Sequence, residues 1–80
     1  MGKYLAGVDP HDWGPRGPAV GTLVYDAVMA RTGEFRGREV VKKREVFYLR
    51  PVGGGVEWES DPALTYPAAE AERLLDLLVR

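Results

Sequence analysis

The residues best able to do chemistry in this sequence form a short basic stretch in the middle of the chain. Five cationic side chains fall within nine positions: Arg36, Arg38, Lys42, Lys43 and Arg44. Phe35, Phe47 and Tyr48 lie beside them. Cations next to aromatic rings can attract an acidic protein surface, or the phosphates and bases of a nucleic acid. The stretch therefore predicts a basic, partner-binding face.

Charge is distributed unevenly along the 80 residues, although the net charge is only −1. Residues 31–50 hold seven basic and three acidic side chains, a net charge of +4. Residues 51–80 hold two basic and six acidic side chains, a net charge of −4. Because nucleic-acid-binding domains usually have a clear excess of basic residues, we expect an acidic protein partner ahead of a nucleic acid. Nucleic-acid binding by 36–44 stays open as the alternative, and so does a solvated surface with no partner.

Other arrangements of reactive side chains are sparse. The one histidine lies in the run Asp9-Pro10-His11-Asp12, and there is no cysteine. A zinc or transition-metal site needs several such ligands on rigid elements, and a Ser or Thr nucleophile needs a base with its own orienting group. The triple glycine 53–55 is not followed by the Lys-Ser/Thr of a phosphate-binding loop. We therefore expect a non-enzymatic protein with no catalytic residue, metal or cofactor.

Short strands must position the basic stretch, since strand-forming residues recur through the middle of the chain. Five strand segments are predicted, at 19–26, 32–35, 45–50, 56–59 and 64–66. Gly37 allows a bulge, Lys42-Lys43-Arg44 a solvated turn, and Gly53-Gly54-Gly55 a tight hairpin turn. Strand alternation predicts that Val56 and Trp58 face inward. A one-turn helix or β-turn is expected at Asp61-Pro62.

Residues 67–80 have the pattern of a terminal helix. Pro67 suits the first helical position, and Ala71, Leu74, Leu75 and Leu78 share one face. That face is expected to pack on the sheet, which leaves Leu77 and Val79 about 100° away around the helix. An apolar surplus of this kind predicts a homodimer through Leu74, Leu77 and Leu78.

Together these elements predict a mainly β fold with one C-terminal α-helix in a single domain. An irregular N-terminal arm, 1–18, is expected to pack Trp13 on the domain or to fray, and an arm that orders only on a partner is the alternative. Residues 19–66 are expected to form a small SH3-like barrel of four to five strands, and 67–80 the helix packed on it.

Two stretches of the sequence resemble known small proteins. Gly21-Thr22-Leu23-Val24-Tyr25-Asp26, followed by Thr32-Gly33-Glu34-Phe35, is similar to the opening of PRC-barrel domains, although Met29-Ala30-Arg31 departs from their usual polar turn. The run from Leu49 to Glu59 resembles small actinobacterial proteins of unassigned function. The resemblance implies an SH3-like barrel with a binding or adaptor role, and it supplies no catalytic residues.

Location and function follow from the same features. No apolar run approaches the roughly 20 residues that span a bilayer, and the N-terminus lacks a signal-peptide pattern. The absence of cysteine favours the cytoplasm. We therefore expect a cytoplasmic protein-interaction or adaptor module, regulatory in role, with a protein partner and no membrane partner.

Overall fold

The structure, a computed structural model, describes Trp13 and residues 17–78. Within these residues the chain forms five β-strands, a short 3₁₀ turn and one α-helix. The strands are β1 Leu23–Asp26, β2 Arg31–Val41, β3 Arg44–Pro51, β4 Trp58–Ser60 and β5 Thr65–Pro67. The 3₁₀ turn Pro62–Leu64 joins β4 to β5, and the helix α1 spans Ala68–Leu78. The predicted mainly β fold with a C-terminal helix is confirmed.

The strands form one antiparallel sheet in the order β4-β3-β2-β1-β5. Its longest unit is the β2–β3 hairpin, closed by Lys42 and Lys43 with φ angles of 51° and 67°. Positive φ at both central residues is the geometry of a type I′ turn, whose twist matches that of the flanking strands. Within the described residues the edge strands β4 and β5 do not pair with each other, so the sheet is open.

The 3₁₀ turn nevertheless holds the two sheet edges close together. The Thr65 hydroxyl donates to the carbonyl oxygen of Asp61 at 2.7 Å, and the buried Ser60 hydroxyl contacts the Thr65 hydroxyl. Because Thr65 has one hydroxyl proton, Ser60 donates the second of these bonds. The turn predicted at Asp61-Pro62 is thus confirmed, with the Asp61 carboxylate accepting from the Ala63 N–H at 2.9 Å.

One face of the sheet carries the hydrophobic core, and we call it the core face. Val24, Phe35, Phe47 and Leu49 are buried there, and the two phenyl rings meet edge to face with centroids 4.9 Å apart. Trp13 and Trp58 pack against this cluster. The predicted contact of Trp13 with the domain is confirmed, while 1–12 and 14–16 of the predicted arm lie outside the described residues.

A buried carboxylate fixes the end of the sheet at which β2 begins. Asp26 is 1% exposed and accepts hydrogen bonds from the backbone N–H groups of Val28 and Met29 at 2.9 and 3.1 Å. It also accepts from the indole Nε1 of Trp58 at 2.8 Å. The Arg31 guanidinium lies 4.0 Å from the centre of the same indole ring. These bonds hold the β1–β2 turn and β4 in fixed positions.

Position 33 must be glycine because the Trp58 ring and the β3 backbone lie too close to leave room for a Cβ atom. A Cβ atom at Gly33 would lie 2.6 Å from the Trp58 ring and 2.8 Å from the Arg50 carbonyl oxygen. Its φ angle is not in the positive region, so the requirement is for space. Gly37, on the same strand, has nothing within 4 Å of such an atom.

A bulge in β2 resets the faces of the hairpin. Phe35 pairs with Leu49, but the next pair is Gly37 with Tyr48, which leaves Arg36 as the extra residue. The predicted bulge is confirmed. Beyond it, Arg38 lies opposite Phe47 and therefore on the core face.

Two predicted strands are shorter in the structure. The first begins at Leu23 and not at Ala19, and Gly21 and Thr22 bond to the backbone of Phe35 without extending the strand. The prediction that Val56 faces inward is wrong, since this side chain is 87% exposed. The predicted tight hairpin turn at 53–55 is also wrong: these glycines have positive φ angles and the Gly54 N–H donates to the Pro51 carbonyl oxygen at 2.9 Å, but β3 ends at Pro51 and β4 begins only at Trp58, so the connection is a wider loop.

The helix α1 lies on the opposite face of the sheet, the outer face, where it contacts β1 and β5. Ala71 is its buried residue, while Leu74 and Leu75 are about half exposed. The prediction that Leu78 packs inward is wrong, because its side chain is 80% exposed. The strands under the helix are only three and four residues long, and the final turn of α1 has little of the described chain beneath it.

Candidate functional site

The predicted basic residues gather at the far end of the β2–β3 hairpin, which we call the hairpin tip, residues 38–46. Arg38 lies near the end of β2, Lys42 and Lys43 form the turn, and Arg44 begins β3. Arg36 lies outside the tip, at the bulge. The structure therefore brings four of the five predicted cations to the hairpin tip.

These cations are divided between the two faces of the sheet. Arg38 is opposite Phe47 on the core face. Arg44 is three positions from Phe47 along β3 and lies opposite Val41, so it belongs to the outer face. Lys42 and Lys43 occupy the turn between them. The cations thus surround the hairpin tip on both faces, because the bulge shifts β2 by one residue and the turn adds two more positions.

Most of this positive charge has no carboxylate partner among Trp13 and residues 17–78. Arg38 pairs with Glu45 at 3.0 Å, and Arg50 pairs with Glu34 at 3.1 Å. In the part of the chain that the structure describes, no carboxylate lies within 4.0 Å of the charged groups of Arg36, Lys42, Lys43 or Arg44. Their positive potential is therefore available to a partner.

The aromatic rings near the basic stretch are not available for base stacking. Phe35 and Phe47 are 3% and 2% exposed in the core. The Tyr48 hydroxyl donates to Glu39 Oε1 at 2.6 Å, and this bond is the main reason why the pKa of Tyr48 is raised to about 12. Lost hydration and the negative charges of Glu39, Glu59 and Glu57 raise it further. Carboxylates around this half-buried ring repel phosphates, which disfavours the nucleic-acid interpretation.

A groove on the outer face of the hairpin tip combines apolar and cationic side chains. It encloses about 200 Å³ and is lined by Val41, Lys42, Arg44, Val46 and Glu59. Val46 is buried at 9% exposure even though it faces away from the core. We call this the outer groove. The sequence identified Lys42 and Arg44 as site residues but not Val41 and Val46. The only signal for Val46 was that it lies two positions after Arg44 and therefore on the same face of the strand.

A second groove lies between the start of β3 and the 3₁₀ turn. It encloses about 320 Å³ and is lined by Arg44, Glu45, Asp61, Pro62 and Ala63. We call this the edge groove. Arg44 borders both grooves, so it stands at the boundary between the outer face and the edge of the sheet.

The predicted self-association residues lie on α1 beside an apolar groove. This helix groove encloses about 220 Å³ and is lined by Tyr25, Ala27, Tyr66, Ala71, Leu74 and Leu75. Leu77 and Leu78 follow it along the helix and are 67% and 80% exposed. The three predicted residues, Leu74, Leu77 and Leu78, are all accessible, whereas Val79 lies outside the described residues.

Catalytic and metal-binding chemistry find no support in the described residues. Across Trp13 and 17–78, no group of three or more His, Cys, Asp or Glu side chains is arranged to hold a metal ion. The His11 cluster lies outside that part of the chain. Among the described elements, α1 lacks the length and the apolar character needed to cross a bilayer. Comparisons with protein-family models, curated proteins and solved structures find no match.

Proposed function

We propose that this chain is a non-enzymatic protein-interaction module, an adaptor that binds an acidic protein partner through the hairpin tip. The observation that carries the proposal is a set of cations around a projecting hairpin, Lys42, Lys43 and Arg44, that have no carboxylate partner within the described part of the chain. Such charges speed the encounter with a surface of opposite sign. The neighbouring Val40, 70% exposed, supplies apolar area that a complex can bury. A cytoplasmic location and an SH3-like arrangement of the strands in this open sheet belong to the same proposal.

A second part of the proposal is self-association through α1. Its support is the row of accessible leucines beside the helix groove, on a helix that buries only Ala71 among its described residues. A two-fold dimer would cover this apolar surface. The hairpin tip and the helix groove lie on different elements, so a homodimer would leave the basic residues accessible.

Site-specific photo-crosslinking in the native host tests the partner proposal. A photoreactive amino acid replaces Val40 at the hairpin tip or, as the control, Val56, which is even more exposed but lies in the β3–β4 loop. We expect a discrete protein adduct from position 40 that is lost in the Lys42→Glu/Lys43→Glu variant. The charge-changing control Arg73→Glu, on α1, should retain the adduct.

Several outcomes would contradict this function. Equal capture from positions 40 and 56 would remove the hairpin tip as the binding surface. An adduct that disappears on nuclease treatment would support the nucleic-acid alternative. Persistence of the adduct in Lys42→Glu/Lys43→Glu would show that the cations do not select the partner.

A further inference from the structure

The strand β3 has one edge that is only partly covered. It pairs with β2 from Arg44 to Pro51, but β4 pairs only with Phe47, Tyr48 and Leu49. Within the described residues, Arg44, Glu45 and Val46 have no strand on the β4 side, and no other backbone bond reaches them there. Arg44 and Val46 direct their backbone groups at Val41 and Glu39 of β2, so the N–H and C=O of Glu45 are the groups that this edge presents to a further strand.

The two grooves lie on either side of this uncovered edge. The outer groove contains Arg44 and Val46, whose side chains share the outer face. The edge groove contains Glu45, whose side chain points to the opposite face, and the 3₁₀ turn Pro62–Leu64 borders it. Side chains of an extended chain alternate between the faces of a sheet. An added strand would therefore direct successive side chains into the two grooves in turn.

Resting on the proposed function, we propose that the Arg44–Val46 edge of β3 is a strand-addition site for an extended, acidic segment of the partner protein. Main-chain hydrogen bonds would supply affinity, and the two grooves would select side chains, as in other strand-addition complexes. The choice of an acidic occupant follows from charge, since Lys42 and Arg44 have no carboxylate partner in the described chain. The valine floor of the outer groove accepts an apolar side chain.

Glu59 sets the direction in which this segment binds. It lines the outer groove beside Val46, on the strand next to β3, whereas Lys42 lies in the turn. A carboxylate of the bound segment is therefore attracted toward the turn and repelled from the β4 end. The acidic residue should lie over the turn and the apolar residue over Val46.

Nuclear magnetic resonance titration of the full chain tests this site. The probe is a short synthetic peptide in which Glu and Val lie two positions apart, separated by Thr, so that both side chains reach the outer face. The matched control carries an N-methyl group on every backbone nitrogen. The control keeps every charge and side chain but cannot form a ladder of main-chain hydrogen bonds. We expect the amide resonances of Arg44, Glu45 and Val46 to shift most, and the control to bind at least about tenfold more weakly.

Two protein variants sharpen the result. Arg44→Glu should weaken binding of the probe by about tenfold, whereas Arg73→Glu, the same charge change on α1, should leave it within about twofold. Equal binding of probe and N-methylated control would overturn strand addition, as would shifts confined to Lys42 and Lys43 or the same amide shifts with single-stranded DNA. Failure of the probe to bind would overturn it too. The proposed function stands or falls separately, on the crosslink from position 40.

Discussion

The two ends of the β2–β3 hairpin differ in how far their polar groups are satisfied. At the end where β2 begins, Asp26 is buried and accepts three hydrogen bonds, and Gly33 leaves just enough space for Trp58. At the hairpin tip, Lys42, Lys43 and Arg44 have no carboxylate partner among the residues that the structure describes, and no described strand covers the β4 side of β3 there. The structure of one end of this hairpin is fixed by internal packing, whereas the backbone and side chains of the other end are available for binding. Substitutions at the packed end should change stability, and substitutions at the hairpin tip should change binding.

The largest expected effect comes from adding one methyl group at the packed end. Gly33→Ala places a Cβ 2.8 Å from the Arg50 carbonyl oxygen, a backbone atom that can yield only if β3 moves. Overpacking of this kind lowers the free energy of unfolding by about 2 kcal/mol. Urea denaturation followed by tryptophan fluorescence measures the change.

Gly37→Ala is the control for this substitution, since its Cβ would meet nothing within 4 Å on the same strand. It should change the free energy of unfolding by less than about 1 kcal/mol. Equal losses at the two glycines would show that the packed end is no more constrained than the middle of the hairpin.

A smaller effect is expected at the other available surface, the leucines of α1. Leu77→Glu puts a charge on a side chain that is 67% exposed, so the free energy of unfolding should change by less than about 0.5 kcal/mol. Association should weaken by tenfold or more, since a carboxylate would enter an apolar interface. Light scattering over a concentration series should show the dimer shift to monomer. A wild-type chain that stays monomeric at high concentration would exclude self-association, and Glu72→Gln should leave the mass unchanged.

The smallest effect is confined to alkaline pH and concerns Tyr48, midway along the hairpin. Its pKa is raised to about 12, chiefly by the hydrogen bond to Glu39, so the folded state favours the neutral phenol. The stabilisation is complete below the ordinary pKa of about 10 and is lost as pH rises from there through about 12.

Glu39→Gln should therefore move the pKa of Tyr48 down toward its ordinary value, while the phenol stays neutral at pH 7 in both proteins. The difference between ultraviolet titrations with and without Tyr48→Phe isolates this phenol. Glu34→Gln is the matched control, because Glu34 pairs with Arg50. An equal shift in both variants would assign the raised pKa to general negative charge and not to the hydrogen bond.

The sequence predicted the elements well because local patterns determine them. Strand-forming runs and the helical spacing of Ala71 and Leu74 each act over a few residues. Val56 and Leu78 were assigned to the wrong environment for a different reason. Alternation and helical spacing describe which residues share a face, but they do not tell where an element begins or what lies under it. The loop through the glycines at 53–55 extends past Val56, so β4 begins at Trp58. The strands β1 and β5 are shorter than α1 and do not reach beneath its last turn, which contains Leu78.

The candidate site could be predicted only in part. The charge of the basic stretch is visible in the sequence, but its division between two faces depends on the bulge at Arg36. The uncovered edge at Arg44–Val46 depends on where β4 begins and ends relative to β3, a pairing between distant segments. Long-range register of this kind is not encoded in any short window of residues.

The type I′ turn of the hairpin tip is a place where substitution can raise the stability of the protein. Left-handed positions in such turns are usually filled by Asn and Gly, and a lysine there costs on the order of 1 kcal/mol. Lys42 and Lys43 both adopt this conformation. Replacing them with Asn-Gly should raise the melting temperature while removing two cations, so a thermostable version of this chain would be obtained at the expense of its attraction for acidic molecules.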